Sequence, residues 1–270
     1  NYFRIISSAA TRTHDKAHII KHLSSNLELK DITDDLVCLG IFGPKSRNLI
    51  SKISNDVFTN EAFKFGYGKF VTLSSKKVWA QRLSYVGELG FELYIENKDA
   101  REIYQLIVKE GTNHNLSHCG SHAMDTMRME SGFLHWGHDI SPEENQYEAG
   151  LNFAISYKKE IDFIGKESAL KIKEKKQNKR FIILSLKNSM SGTPLLLHEE
   201  PIYLGDKIIG RTTSGNYSFN YRKNLSFGYV NSDYSNEELS KMNLYIEVAK
   251  KKHLARVELI PLKNKKNKFL

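Results

Sequence analysis

The sequence has 270 residues, of which 40% are hydrophobic and 26% are charged. This length allows two or three domains, and the composition is that of a chain with a packed core, which excludes a disordered protein. No apolar run reaches the length of a membrane span, so we expect no membrane partner. The two cysteines are too few for a disulfide framework and favour a reducing compartment, the cytoplasm or, in a eukaryote, the mitochondrial matrix.

The formal net charge is +9, a balance that is found in proteins with acidic partners. Much of the excess is lysine in two stretches, residues 171–180 and 250–268. Such runs are typical of solvated faces, and no aromatic side chains alternate with them as in surfaces that bind single-stranded nucleic acid. We therefore predict no nucleic-acid partner.

Strands and helices alternate in the first part of the chain. The expected elements are a strand over residues 2–7, a helix from Thr13 or Asp15 to about Leu23 with Ala17, Ile20 and Leu23 on its packed side, a strand over residues 34–42 and, after Gly43-Pro44, a helix that buries Leu49, Ile50 and Ile53. This alternation indicates an α+β layer. Because the chain starts with Asn and opens within a strand, we expect a fragment truncated at its N-terminus.

A strand over residues 78–85, closed by Tyr85, a glycine-containing turn and a second strand that reaches residue 95 are predicted. Gly87 and Gly90 permit backbone angles and close approaches that a side chain would prevent. After Gly90 the pattern alternates, and the side chains expected to face the core are Phe91, Leu93 and Ile95. Glu92 and Tyr94 are therefore expected on the opposite face of a rigid strand.

Glu92 has the chemistry of a ligand anchor. A carboxylate can accept two parallel hydrogen bonds from a planar ligand with adjacent N–H donors, and a 2-amino-4-oxopterin offers such an edge. From residue type alone, a solvated strand position is the simpler interpretation, because glutamates are mostly exposed.

Two more helices are predicted before residue 135. The first starts with a capping box at residues 99–102 and ends at Gly111, and its core-facing side chains are Ile103, Leu106 and Ile107. The second covers residues 120–132, and its apolar face consists of Ala123, Met124 and Met127. Core packing is our default interpretation of that face.

From about residue 179 the chain has short strand-like runs separated by turn residues. The runs cover residues 181–186, 201–204, 207–210, 227–230, 244–248 and 255–259, and Gly205-Asp206 is expected to join two of them in a hairpin. Regular short strands without helices indicate a small barrel or sandwich. The predicted fold is thus an α+β region over residues 1–175, with residues 171–178 as the linker, followed by a C-terminal β-barrel over residues 176–270.

Several histidines lie close together in the sequence. His118 and His122 have the i, i+4 spacing of helical metal ligands. No second cysteine or paired acid completes a recognisable site, so we predict no metal and keep zinc as an alternative.

The segment 85–92, Tyr-Val-Gly-Glu-Leu-Gly-Phe-Glu, resembles the folate-site signature of the glycine-cleavage T-protein superfamily. The resemblance implies that Tyr85 and Glu92 line a pterin pocket and that Glu88 holds the turn. Further segments in the same order are similar to the C-terminal half of dimethylglycine and sarcosine dehydrogenases: residues 123–130, 136–137, 148–151, 162–166 and 213–218.

Three more residues follow from this resemblance. In T-proteins the helix that matches residues 123–128 usually has an Arg that contacts folate, and here that place is Met124, as in the dehydrogenases. Arg128 matches the second Arg of the helix; we interpret it as structural and keep it as a candidate ligand contact. Trp136 is a candidate for the pocket wall, with core packing as the alternative.

The implied function is tetrahydrofolate-dependent transfer of a one-carbon unit in a flavin-linked dehydrogenase of N-methyl amines, giving 5,10-methylene-tetrahydrofolate. FAD is expected only in an upstream domain of the same protein, because no G-x-G-x-x-G follows a strand here. The family's catalytic aspartate is expected upstream of Tyr2, so no catalytic residue is assigned and this chain is expected to bind rather than turn over. The alternatives are a free-standing aminomethyltransferase of glycine cleavage and a folate-dependent RNA-modifying or RNA-binding relative.

Overall fold

The computed structural model describes residues 2–231 and 233–263, and these form two compact units. The first, the sheet unit, contains the residues up to Ser84 together with Leu89–Ser117. The second, the barrel unit, contains Tyr85–Glu88 and the described residues from His118 onward. The turn of the motif therefore belongs to the barrel unit, whereas the strand that follows it belongs to the sheet unit.

An antiparallel four-stranded sheet forms the centre of the sheet unit. Its strands, in the order β1-β4-β3-β2, are β1 (Leu36–Phe42), β2 (Gly68–Leu73), β3 (Lys76–Gln81) and β4 (Gly90–Glu96). The helices are α1 (Arg12–His22), α2 (Ser46–Ile50) and α3 (Asn97–Gly111), and three-residue 3-10 turns lie at Ala9–Thr11, Thr33–Asp35 and Thr112–His114.

Alternation along β4 decides which face of the sheet is buried. The three apolar side chains predicted to face the core are fully buried, together with residues of α2 and α3. The rings of Phe58, Phe63 and Phe91 pack with centroid distances of 5.5–6.0 Å. Because side chains alternate across a strand, the same burial leaves Glu92 and Tyr94 on the other face.

A closed barrel forms most of the barrel unit. Its strands, in the order β10-β5-β8-β7-β6-β9, are β5 (Lys179–Leu186), β6 (Pro201–Leu204), β7 (Lys207–Ser218), β8 (Lys223–Asn231), β9 (Leu244–Val248) and β10 (Lys251–Glu258). The helices of this unit are α4 (Ser121–Glu130), α5 (Lys166–Lys173) and α6 (Asn236–Ser240), and a 3-10 turn lies at Asn152–Ala154. Inward-facing aliphatic side chains from all six strands fill the barrel.

The predicted fold class, an α+β region followed by a small β-barrel, is confirmed. All six predicted C-terminal runs lie within or overlap β5–β10, and Gly205-Asp206 joins β6 to β7, where Leu204 pairs with Lys207. Two helices of the barrel unit, α5 and α6, were not predicted, and α5 includes the start of the predicted linker. None of the helices in the described ranges is long and apolar enough to cross a membrane.

Residues 2–7 do not form the predicted strand. In the described chain they have no strand partner, and Tyr2 and Phe3 are largely exposed. Arg4 instead lies over the Trp79 ring, with 5.5 Å between its guanidinium carbon and the ring centroid. An apolar run becomes a strand only when a neighbour supplies its hydrogen bonds.

Helix α1 lies where it was predicted, but its packed side was wrong. None of its residues is buried, and Ile20 is more than half exposed. Its start is held by the Thr11 hydroxyl, which donates to Asp15 at 2.6 Å. With few apolar residues and no neighbouring apolar surface to cover them, the face that the sequence suggests stays in solvent.

The predicted capping box at residues 99–102 is also wrong. Helix α3 begins two residues earlier, at Asn97, and its N-cap makes no side-chain hydrogen bond. Asp99 forms an ion pair of 3.0 Å with Lys76 on β3, and Glu102 lies 3.5 Å from the same ammonium. Both carboxylates of the predicted capping box are therefore paired with Lys76. The predicted helix end and the burial of Ile103 and Ile107 are confirmed.

Candidate functional site

Glu92 lies on the face of the sheet opposite the packed apolar core. Its β4 position pairs with Gly40 on β1 and with Gln81 on β3. The side chain is half-buried, and Tyr94 donates a hydrogen bond of 2.7 Å to its Oε2. In the part of the chain that the structure describes, its Oε1 accepts no hydrogen bond. This oxygen is therefore available to an N–H donor of a ligand.

The Phe42 ring lies over Gly40, the residue paired with Glu92, and this ring was not among the predicted site residues. A Cβ on Gly40 would lie 2.6 Å from the Phe42 ring, and a Cβ on Gly90 would collide with the same ring. The two glycines thus leave room for an aromatic ring on the face of the sheet that carries Glu92. The sequence contains a signal for this arrangement. Gly40 lies two residues before Phe42 and pairs with Glu92, and Gly90 lies two residues before Glu92 and pairs with Phe42.

Tyr85 does not close the first predicted strand, because β3 ends at Gln81. It lies in the barrel unit with its hydroxyl already bonded. The hydroxyl donates to the carbonyl of Leu134 at 2.9 Å, and the ring stacks on Phe133 with centroids 6.3 Å apart and planes 15° apart. Burial raises the pKa of Tyr85. The phenol is therefore a fixed, neutral group that can offer its ring to a ligand more readily than its hydroxyl.

The turn after Tyr85 is held by contacts within the barrel unit. Gly87 has φ of +65°, and a Cβ there would collide with the Ser131 side chain. Glu88 forms an ion pair with Lys263, whose ammonium also donates to the Val86 carbonyl at 3.3 Å. Glu88 therefore holds the turn, as the resemblance implies.

Arg128 is 1% exposed, and each of its three guanidinium nitrogens has an acceptor on the protein. Nε donates to Asp125 Oδ1 one turn earlier at 2.8 Å, and Nη2 forms an ion pair of 2.7 Å with the same oxygen. Nη1 donates to the Phe133 carbonyl at 3.0 Å. Nη1 also donates to Asp139, and Nη2 donates to the Ser214 hydroxyl at 2.7 Å. This burial and internal pairing are expected of a structural arginine.

Asp139 is the counterpart of Arg128 and was missed from the sequence. Its buried carboxylate also accepts from the His135 backbone at 2.9 Å, from Thr213 at 2.6 Å and from Ser214 at 2.8 Å. Thr213 and Ser214 open the segment 213–218, which the resemblance singled out without giving its residues a role. Their hydroxyls connect β7 to the loop after α4.

The buried face of α4 is not the apolar face that was predicted. The helix buries Thr126, Arg128, Met129 and Glu130, whereas Met124 is 40% exposed. Glu130 accepts from Ser218 at 2.6 Å and from Asn220 at 2.9 Å. Ser218 on β7 and Asn220 after it bond the polar side of α4, which is therefore the buried side. The default interpretation of Met124 as a core residue is wrong.

Trp136 is exposed as well, at 43%. It lies in the loop after α4, next to Gly137, which has φ of +89° and donates to the Ile140 carbonyl at 2.8 Å. Core packing therefore does not explain Trp136. In the barrel unit, the side chains of Met124 and Trp136 are thus accessible to solvent, whereas that of Arg128 is buried.

The histidine pair does not have the geometry of a helical metal site. Helix α4 starts at Ser121, so His118 precedes it and the i, i+4 relation to His122 does not apply. Among the described residues, no three His, Cys, Asp or Glu side chains are arranged to hold a metal ion.

The comparisons with known proteins agree with this architecture. The GCVT N-terminal domain model matches residues 1–159, and the glycine cleavage T-protein C-terminal barrel domain model matches residues 179–262. The predicted domain boundary at residues 175/176 lies between these matches and stays a prediction, since the compact units divide the chain differently.

Two curated relatives illustrate the two branches of the family. Human mitochondrial dimethylglycine dehydrogenase is 34% identical over 231 residues, which are 84% of this chain and 26% of that protein. The aminomethyltransferase of Symbiobacterium thermophilum is 32% identical over 206 residues, 76% of this chain and 54% of that protein. The chain thus spans about a quarter of the dehydrogenase and about half of the transferase.

A solved structure shows the same fold. The glycine cleavage system aminomethyltransferase T from Bartonella henselae has a TM-score of 0.78 at 20% identity, covering 94% of this chain and 67% of that one. Fold and matched models together define an aminomethyltransferase-like class of protein. The chain belongs to the glycine cleavage T-protein family, and its homologues are dimethylglycine and sarcosine dehydrogenases and aminomethyltransferases.

Proposed function

We propose that this chain is the tetrahydrofolate-binding, one-carbon-transfer module of a flavin-linked dehydrogenase of N-methyl amines. The observation that carries the proposal is Glu92: a carboxylate on a rigid strand, with one oxygen held by Tyr94 and the other open. The relatives named above support the reaction class. Tetrahydrofolate would supply the amine nitrogens that accept the one-carbon unit as 5,10-methylene-tetrahydrofolate.

The Glu92 carboxylate offers the acceptor oxygens that a pterin edge requires. Two adjacent N–H groups of a 2-amino-4-oxopterin need one carboxylate held in plane, and Glu92 provides it. In the sheet unit, the Phe42 ring offers an apolar surface on the face of the sheet that carries this carboxylate. In the barrel unit, Tyr85, Met124 and Trp136 remain the predicted ligand contacts, and Arg128 is assigned the structural role.

What the protein contributes is orientation. A pterin bound through Glu92 would be fixed in position before the one-carbon unit arrives, and such positioning removes an entropic part of the barrier. A second candidate, a free-standing aminomethyltransferase, is supported by the similarity to the Symbiobacterium enzyme. Glu92 would anchor the pterin in either candidate, so the amine donor distinguishes the two. The dehydrogenase would have an upstream flavin domain and would oxidise dimethylglycine or sarcosine.

The test is a calorimetric titration of tetrahydrofolate into the chain and into Glu92→Gln. We expect Glu92→Gln to bind about tenfold or more weakly, because a hydrogen bond to a charged group contributes about 1.5–3 kcal/mol. Glu96→Gln is the matched control: it removes a carboxylate from the end of the same strand, where Glu96 is exposed and paired with Lys98. Equal affinities for the wild type and Glu92→Gln would contradict the proposal.

A further inference from the structure

Tyr94 is the outward-facing neighbour of Glu92 on β4. Its hydroxyl donates to Glu92 Oε2 at 2.7 Å, across two residues of one strand. Side chains of a strand stand roughly perpendicular to the sheet, so the phenol must lean along the strand to reach this oxygen. The contact is therefore a specific arrangement of the ring and does not follow from the strand alone.

The phenol of Tyr94 has neighbours on both sides. Cys38 on β1 and Trp79 on β3 pair with Tyr94 in the sheet register, and adjacent strands are about 4.8 Å apart. The Arg4 guanidinium carbon lies 6.0 Å from the Tyr94 ring centroid. These groups border the ring on both neighbouring strands and on the Arg4 side.

The hydroxyl also keeps its proton. Burial, the hydrogen bond to Glu92 and the charge of that carboxylate all raise the pKa of Tyr94 far above neutral pH. Tyr94 therefore keeps the proton that it donates to Glu92 throughout the neutral range.

A fixed hydrogen-bond partner for Glu92 matters because the last side-chain torsion of a glutamate has a broad distribution of angles. A ligand with two adjacent N–H donors needs the carboxylate in its own plane, and an unrestrained carboxylate would have to be ordered when the ligand binds. Ordering on binding lowers affinity, whereas a side chain ordered beforehand does not incur that loss.

We propose that Tyr94 is a positioning residue that fixes the plane of the Glu92 carboxylate for a pterin edge. The bond to Oε2 leaves Oε1 and the remaining lone pair of Oε2 to accept two adjacent N–H groups. This inference rests on the proposed function, because it concerns the same carboxylate. Tyr94 acts through Glu92 and needs no contact with the ligand.

The test is a double-mutant cycle for tetrahydrofolate binding, with the wild type, Tyr94→Phe, Glu92→Gln and the double variant. We expect Tyr94→Phe to weaken binding about fivefold, on the scale of one lost hydrogen bond. In the Glu92→Gln background the same substitution should have no further effect, because the charged carboxylate that it positions is gone. Tyr67→Phe, at an exposed tyrosine of the sheet unit, is the matched control.

The inference is overturned if Tyr94→Phe binds like the wild type, or if it weakens binding by the same factor in both backgrounds, as a general structural effect would. If Glu92→Gln weakens tetrahydrofolate binding and Tyr94→Phe does not, only this inference is overturned. Wild-type affinity in Glu92→Gln removes the proposed function.

A readout without folate tests the hydrogen bond itself. In protein labelled with ¹³C at the tyrosine Cζ, the Tyr94 resonance is assigned by its absence from Tyr94→Phe. We expect this resonance to shift in Glu92→Gln, because the hydroxyl loses its anionic acceptor. An unchanged resonance overturns the inference whatever the titration gives.

Discussion

The two units bury very different side chains. Among the described residues, the buried polar or charged side chains of the sheet unit are Ser46 and Arg82, whereas the barrel unit buries a long series. That series includes Arg128, Glu130, Asp139, Thr213, Ser214 and Ser218. The sheet unit is thus held mainly by apolar packing, and the barrel unit combines an apolar barrel with a hydrogen-bonded polar cluster between α4 and β7.

The difference has a functional meaning. Apolar packing is non-directional and tolerates small shifts, whereas a hydrogen-bonded cluster fixes one arrangement of its elements. In the barrel unit the cluster fixes which side of α4 is buried and therefore exposes Met124. In the sheet unit the packed face fixes β4, and the opposite face is left for Glu92.

The polar cluster should be the more sensitive of the two. Asp139→Ala leaves the buried Arg128 guanidinium without its fully buried carboxylate partner, and removing one partner of a buried pair destabilises by about 3–5 kcal/mol. Urea unfolding of the wild type and the variant, followed by hydrogen exchange of the β5–β8 amides, measures the loss.

The control for Asp139→Ala is Asp206→Ala in the β6–β7 hairpin. Asp206 is fully exposed and pairs with Lys252 at 3.2 Å, so its removal should cost at most about 1 kcal/mol. Losses of similar size in the two variants would mean that the buried cluster is not a distinct source of stability.

The apolar core should respond to volume. Leu93→Ala on β4 removes a fully buried side chain, and Leu→Ala changes in cores destabilise by about 2–5 kcal/mol, depending on how far the cavity closes. We expect a value near the middle of this range, since Leu93 packs among large aromatic and aliphatic neighbours. Chemical denaturation monitored by circular dichroism is the measurement.

Leu27→Ala, at an exposed leucine of the same unit, is the control for Leu93→Ala. It should change the free energy of unfolding by less than about 0.5 kcal/mol, as surface substitutions usually do. If Leu93→Ala were as mild as Leu27→Ala, the sheet unit would not depend on its apolar face.

The smallest expected effect is a pH dependence in the barrel unit. Burial acts to raise the pKa of Glu144, but its ion pair with Lys179 and the bonds from Ser141 lower it, and the net shift is downward. A lowered folded-state pKa stabilises the fold above the unfolded value of about 4.3, and this contribution is lost as pH falls through the folded value.

The stability difference between the wild type and Glu144→Gln should therefore be constant from neutral pH to about pH 5 and shrink on further acidification. Urea unfolding at a series of pH values between 7 and 3 measures it, with the exposed neighbour Glu143→Gln as the control for loss of one charge. A difference that grows on acidification would contradict the assigned sign.

The secondary structure of both units could be predicted in large part because it rests on local periodicity. Alternation gave β4 with its buried face, and short apolar runs gave the barrel strands. The errors at residues 2–7, α1 and the capping box share one cause: each depended on a neighbour that the local pattern does not contain. Lys76, which takes the carboxylates of the predicted cap, lies on a different strand.

The sequence by itself determined that Glu92 stands on a strand opposite a core face, after a turn that requires glycine, because both facts follow from a few consecutive residues. Only the tertiary structure decided what surrounds that carboxylate and what balances Arg128. Tyr94 bonds Glu92 with its ring between groups of the two neighbouring strands, and Asp139 meets Thr213 and Ser214 across 74 and 75 positions of the chain. Hydrogen bonds between such distant side chains leave no periodic signal, so no local pattern can predict them.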